Sequence, residues 1–210
     1  MNASGLKAAF SYIYDIMEEN KDVLIRLDQQ NGDGDLGISM AKGFGSVKAY
    51  LSATEETDLG RLLMKSSSAM NEAAPSTLGT ILSVALMGMA QTLRGKAEVS
   101  LLEAAQAMKG GVERIMEKAG SAPGEKTVLD SLCPGVDALI QNAGRGAEIA
   151  LKAAMDASRE GAESTKQMRP VHGRAAYYGD KSIGMIDGGA VAGSLIFEAL
   201  YLSIQTLHTL

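Results

Sequence analysis

Residues 102 to 116 read LEAAQAMKGGVERIM. Leu102, Ala105, Met108, Val112 and Met116 recur at spacings of three and four, which sets them on one face of an α-helix. Outward from this stretch the pattern repeats. Leu6, Phe10, Tyr14 and Met17 form a second stripe, and Ile149, Ala153 and Ala157 a third, with small residues that allow helices to approach closely. Ala, Leu, Met, Glu and Lys dominate, all good helix formers, and alternating β-branched runs are almost absent. The expected fold class is all-α.

Breakers divide the chain. They are Asn31-Gly32-Asp33-Gly34, then Pro75 with Ser76 and Thr77 as a helix start, then Gly120 to Gly124, then Arg169-Pro170 to Gly189. Pro134 falls inside a helical stretch and is predicted to kink it or end it early. About eight helices result, in a single domain over residues 1–210, with no internal repeat; a helical bundle is the expected architecture. The loop from Met168 to Gly189 is long for a compact bundle, and such loops are often functional.

Composition narrows the function. The chain has 210 residues, 46% hydrophobic and 21% charged, with a formal net charge of −5. Its Lys and Arg form no basic block, so no nucleic-acid partner is expected. Cys133 is the only cysteine, which excludes an intrachain disulfide and fits a reducing, cytoplasmic setting. With no histidine nearby in sequence, it reads as a small packing residue rather than a nucleophile. The N-terminus lacks a basic segment followed by an apolar run, so no signal peptide is expected. The most apolar window, Leu78 to Leu93, contains Thr80, Ser83 and Gln91. It is shorter than the ~18 apolar residues of a membrane span, so it reads as a buried helix and no membrane partner is expected.

The stretch with the most chemistry is RLDQQNGDGDLGISM, residues 26 to 40. Asp28, Asp33 and Asp35 crowd together with Gly32, Gly34 and Gly37 among them. A simple turn would account for the Asn-Gly and Asp-Gly pairs. A calcium hand needs glycine at its sixth position and glutamate at its twelfth. Counting from Asp33 gives Ile38 and Phe44, and counting from Asn31 gives Leu36 and Lys42, so both registers fail. Carboxylates packed this closely repel one another unless cations neutralise them, and Mg²⁺ bound together with phosphate oxygens would do so. Gly37 would let the backbone approach a phosphate, and a helix opening at Ile38, Ser39 and Met40 would offer its amides to an anion. Neither a Walker loop nor a protein-kinase signature is present.

Leu27 to Gly37 resembles the L-D-x-x-x-G-D-G-D-x-G signature of the dihydroxyacetone kinase L-subunit family. Pro123-Gly124-Glu125-Lys126-Thr127 with Asp130 resembles its P-G-D/E-K-T-x-x-D. Gly173-Arg174-Ala175-Ala176-Tyr177, Gly179, Ser182-Ile183-Gly184, Asp187 and Gly189 resemble its G-R-A-S-Y-L-G-x-R-S-I-G-x-x-D-P-G. Motif order and length match across essentially the whole chain.

The resemblance implies a barrel of eight antiparallel helices with a nucleotide site at one end. It implies that Asp28, Asp33 and Asp35 hold two Mg²⁺ ions bridging the phosphates of ADP or ATP, with these aspartates and Arg174 as the catalytic set. Leu36, Gly37, Ile38, Ser39 and the segment Ala73 to Gly79, including Ala74, Ser76 and Thr77, would meet phosphate and ribose. Gly120, Thr127 and Val128 would lie near the base, and Arg174, Asp187, Gly188 and Gly189 would contact the nucleotide from the long loop. It further implies a kinase subunit that passes phosphate to dihydroxyacetone or a related small ketose held covalently on a partner K subunit. The phosphate source would be a phosphohistidine protein of the phosphoenolpyruvate-dependent phosphotransferase system, or free ATP. His172 and His208 are the only histidines, and neither matches the ketose-binding context.

The chain departs from the pattern at four places. Leu36 stands where the family has histidine, and can offer only its backbone amide. Asn71-Glu72-Ala73-Ala74-Pro75-Ser76 replaces G-G-A-S-G-P, so Ala74 takes the place of a serine for which Ser76 or Thr77 would substitute. Glu72 brings negative charge toward the phosphates, and Gly188 replaces proline. The metal ligands are intact while the phosphate loop is altered. That leaves three readings: a kinase subunit for dihydroxyacetone or a related small ketose, a nucleotide-loaded regulatory paralogue without turnover, and a purely structural helical protein.

Overall fold

The computed structural model describes residues 1–205. The described helices are α1 (Ala3–Glu19), α2 (Lys21–Asp28), α3 (Leu36–Ala53), α4 (Leu59–Ala73), α5 (Thr77–Thr92), α6 (Leu101–Ala119), α7 (Leu129–Asn142), α8 (Ala147–Ser164) and α9 (Gly188–Gln205). Single 3₁₀ segments lie at Ala143–Arg145, Thr165–Gln167 and Arg174–Ser182. Among the described residues β-structure is limited to an isolated bridge between Asn2 and Glu98.

From α3 onward each helix packs on the next, and α1 packs on both α3 and α9, which closes a ring. Only Asn20 separates α1 from α2, and α2 lies against the same two neighbours, α3 and α9. The pair therefore forms one stave, and the barrel has the expected eight. Local chemistry sets the helix starts. Asn2, Asp58, Ser76 and Ser100 each accept a hydrogen bond from a first-turn amide, and Ser100 with Glu103 forms a full capping box. Gly120 ends α6 in the left-handed conformation.

The buried face of α6 differs from the stripe expected of it. Ala105, Ala107, Gly111, Val112 and Ile115 are buried, whereas Leu102 is 43% exposed. Gly111 lets α6 lie directly on α5, since a Cβ there would sit 2.8 Å from the Ala85 carbonyl. On α8 the inward face is one residue on from the expected stripe. Ala150, Leu151, Ala154 and Met155 are buried, and Ile149 is exposed.

Pro134 does not end its helix; α7 runs through it to Asn142. Proline has no N–H for the carbonyl four residues back, at Asp130. Gly161 of α8 lies against that carbonyl and the proline ring, where a side chain would collide with both.

The apolar window in α5 is a barrel stave with Leu82, Leu86 and Ala90 buried. Among the described residues one helix, α9, is long and apolar enough to cross a membrane, with 18 residues at a mean hydropathy of 1.2. In the barrel α9 packs on α1, α7 and α8 and buries Phe197 completely. Burial pushes the Cys133 thiol up to about 11, so it stays protonated at neutral pH, as a packing residue would.

Candidate functional site

The chain between α2 and α3 folds around one carboxylate. Asp28, at the end of α2, accepts hydrogen bonds at Oδ2 from the Gly34 amide at 2.7 Å and the Asp35 amide at 3.0 Å. The Gly32 amide bonds the Asp28 carbonyl at 2.6 Å, and a Cβ on Gly32 would collide with the Asp28 carboxylate. Gly34 adopts φ +77°, a conformation that favours glycine. Glycines and aspartates thus build each other's geometry here. One carboxylate oxygen from each of Asp28, Asp33 and Asp35 lies within 4.8 Å of the others.

The charges in this cluster are unequal. Asp33 pairs with the Arg174 guanidinium, which holds its carboxyl below the usual range. Desolvation, and then the charges of Asp33 and Asp28, push Asp35 upward. An oxygen-only donor set at this spacing fits a hard divalent cation such as Mg²⁺. The side-chain oxygen of Asn31, which lines the same cavity, is buried without a hydrogen-bond partner.

The cluster sits on the rim of a cavity of about 980 Å³ at one end of the barrel. The starts of α3, α5, α7 and α9 all contribute lining residues, among them Leu36, Thr77, Val128 and Gly188. Four helix N-termini therefore converge on one volume, each with a positive dipole end. Lys118, Lys126, His172 and Arg174 also line it. The cavity suits an anion with an apolar portion, and the carboxylates on its rim suit that anion's counter-cation.

Most of the residues singled out from sequence line this cavity: Asp28, Asp33, Asp35, Leu36, Ser76, Thr77, Thr127, Val128, Arg174, Asp187, Gly188 and Gly189. Others do not. Gly37 faces α2, where a Cβ would collide with the Lys21 carbonyl, so the packing of α2 on α3 requires glycine there. Ser39 is buried, and Ile38 opens onto a separate depression beside Tyr14 and Lys42. Ala73 and Gly79 lie off the cavity, and Ala74 is fully buried with Gly79 packed on it. Gly120 lies off the lining, one residue beyond Ala119. Of the altered phosphate loop, Glu72 is exposed outside the cavity, whereas Ser76 and Thr77 line it.

A strap from Thr165 to Asp187 covers the same end. Its two ends are tied together: the Asp187 amide bonds Thr165 Oγ1 at 2.9 Å and the Gly184 amide bonds the Lys166 carbonyl at 2.7 Å. It is also tied to the α6–α7 turn, where His172 bonds Glu125 at 2.6 Å and Lys126 reaches strap carbonyls. Asp130 shapes that turn by accepting from the Gly124 amide at 2.5 Å and the Thr127 amide at 2.6 Å. Asp187 caps α9 through the Ala190 amide at 2.7 Å, and burial raises its pKa to about 6. Sequence reading gave no role to His172, Lys118, Lys126 or Asn31. Lys126 and Asn31 lie within the motifs, but nothing in those motifs distinguishes a cavity residue from a turn residue. His208 lies outside the described residues.

An eight-stave helical barrel with an acidic rim and four helix N-termini at one mouth defines the class. The DAK2 domain family matches residues 30–202, and the chain belongs to that family. It is 29% identical over 193 residues to the PEP-dependent dihydroxyacetone kinase, ADP-binding subunit DhaL, of Escherichia coli K12, covering 91% of this chain and 92% of that one. It is 30% identical over 184 residues to the corresponding subunit of PEP-dependent dihydroxyacetone kinase 1 of Listeria innocua, covering 88% of each. The crystal structure of the dihydroxyacetone kinase from C. freundii in complex with AMP-PNP and Mg²⁺ superposes with a TM-score of 0.75 at 23% identity, over 94% of this chain and 33% of that one. That likeness establishes the shared fold.

Proposed function

We propose that this chain is the nucleotide-holding phosphoryl-transfer subunit of a dihydroxyacetone-kinase-type system. One observation carries the reading: three carboxylates within 4.8 Å of one another, on the rim of a cavity faced by four helix N-termini. Asp28, Asp33 and Asp35 would hold Mg²⁺, two ions in the full complement, together with the phosphates of ADP or ATP. When bound, Mg²⁺ neutralises phosphate charge and aligns the transferred group. The chain's own residues do the rest. The amides of Gly34 and Asp35 fix the Asp28 carboxylate before any ligand arrives. Arg174 sits next to the cluster and would turn to phosphate oxygens as charge shifts during transfer. Leu36 and Val128 would supply apolar wall for the nucleoside, and Gly173, Arg174 and Ala175 of the strap line the same cavity.

In the reaction the γ-phosphoryl group moves from ATP to a ketose hydroxyl oxygen. The P–O bond to ADP breaks, the new P–O bond forms, and the hydroxyl proton is released. The acceptor, dihydroxyacetone or a related small ketose, would be presented by a partner K-type subunit. Recharging of bound ADP by a phosphohistidine protein of the phosphotransferase system is favoured over exchange with free ATP. The E. coli and Listeria relatives, named as PEP-dependent and ADP-binding, support that choice. Such a protein would work in the cytoplasm.

The test is mass spectrometry and metal analysis of the purified protein after denaturation. ADP or ATP with about two magnesium ions per chain is expected. A protein that emerges empty and also fails to bind added Mg-ADP overturns the reading. Loaded protein that supports no turnover with any K-type partner would instead favour a regulatory paralogue.

A further inference from the structure

Lys126 is the one non-glycine residue with a left-handed backbone among those described, at φ +61°. An L-residue pays for that conformation in steric strain, and such strain persists only where its surroundings hold it. Its side chain is 3% exposed, although lysine is almost never buried without a partner. The partners are carbonyls: Ser182 at 2.7 Å, Met185 at 2.7 Å and Met168 at 3.4 Å from Nζ. Three donors thus meet three acceptors, all on the strap and on both sides of Arg174. Desolvation lowers the lysine pKa, while Asp187 opposes the shift by attraction, consistent with an ammonium held inside protein.

We propose that Lys126 is a positioning residue: its ammonium pins both limbs of the strap to the α6–α7 turn and so holds Arg174 beside the aspartate cluster. The turn is itself braced. Asp130 fixes the Gly124 and Thr127 amides on either side of Lys126, and the Glu125 carbonyl accepts from the Val171 amide at 3.3 Å. Lys126 therefore links a braced helix start to both limbs of the strap. Although Lys126 lines the cavity, its three donors are already used, which leaves none for a nucleotide phosphate.

The test has two arms. The first is hydrogen exchange on nucleotide-free protein. Lys126→Met, which keeps the stem and removes the donors, should speed amide exchange in residues 168–187 by at least about tenfold and leave the barrel helices unchanged. Exchange that is unchanged in the strap overturns the proposal. The second arm, which rests on the nucleotide reading above, is a double-mutant cycle on Mg-ADP affinity. Removing Arg174 should cost much less in the Lys126→Met background than in the wild type, because its position is already lost. Full additivity would mean that Lys126 touches the ligand independently, and overturns the positioning role. A wild type that binds no Mg-ADP defeats the nucleotide reading alone and leaves the exchange arm decisive. Should Lys126→Met fail to fold, Lys126→Gln, which retains a shorter donor, takes its place in both measurements: faster strap exchange and non-additivity support the proposal, and their absence overturns it.

Discussion

The two segments that close the mouth of the barrel are held in different ways. The turn from Asp28 to Asp35 is bonded to itself: a carboxylate at one end accepts amides at the other, and two glycines make room for it. The strap from Thr165 to Asp187 is tied at its own ends, Asp187 to Thr165 and Gly184 to Lys166, and is fastened to the rest of the barrel by Lys126, by Glu125 through His172 and by Asp33 through Arg174. The self-bonded turn fixes Asp28 whether or not anything is bound, whereas Asp33 is held by Arg174 of the strap. A strap held by borrowed contacts can exchange some of them for a ligand. The difference suits a site in which Asp28 stays put while Arg174, and Asp33 with it, adjusts to the phosphates.

The largest effect should come from breaking the turn itself. Asp28→Ala removes a proposed metal ligand together with the acceptor for two amides. We expect Mg-ADP binding to fall by at least about a thousandfold in calorimetry. Stability should drop by ~1–3 kcal/mol from the orphaned amides, read by denaturant unfolding. Asp33→Ala should lose the binding with little change in unfolding, since its ion pair is exposed on both sides. If Asp33→Ala unfolds as readily as Asp28→Ala, the cluster is a structural unit and the contrast between ligand and scaffold fails.

On the strap, Arg174→Ala should weaken Mg-ADP binding about tenfold, the value of one lost charge-assisted contact. Transfer to the partner-bound ketose should slow by about a hundredfold, with thermal unfolding unchanged. A variant with wild-type turnover would show that Arg174 serves Asp33 alone.

The two segments were also unequally legible in sequence. The turn could be read because its bonds span few residues: Asp28, Gly32 and Gly34 are meaningful at their spacing. Helix positions followed from periodicity in the same way, but faces did not. The small residues Gly88, Gly111 and Gly161 let neighbouring helices close in, and closeness rather than hydrophobicity decides that Leu102 and Ile149 face outward. Gly37 has the same lesson at the site, since a glycine beside aspartates suggests phosphate approach and the chain uses it for a helix contact. Gly37→Ala should therefore cost ~1–3 kcal/mol of stability, while the folded fraction binds Mg-ADP within about threefold of wild type. Loss of affinity at unchanged stability would return Gly37 to the phosphate. The strap's attachments were not legible, because Lys126 and Ser182 are 56 residues apart and nothing local marks either as the other's partner.

The smallest effect, and the subtlest probe of the strap, lies in Asp187 at its end. Burial raises its carboxyl from an ordinary 3.8 to about 6. An acid with a raised folded pKa holds its proton more tightly folded than unfolded. Between these two values the unfolded chain has released the proton and the folded chain has not, so stability falls as pH rises through the window and stays lower above it. The loss is at most about 3 kcal/mol, a net figure in which the Ala190 amide and Lys126, which favour the charged form, already offset part of the burial. Asp187→Asn keeps an oxygen for the Ala190 amide and removes the charge. Measured without nucleotide or metal, the variant should be more stable than wild type at pH 7.5, with the advantage gone by pH ~4. A pH-independent difference would mean that Asp187 acts only as a cap. A less stable variant at neutral pH would mean that the charge is stabilised in the folded chain, with Lys126 as the obvious source, and that the strap's end is held electrostatically rather than by its backbone bonds to Thr165 and Lys166.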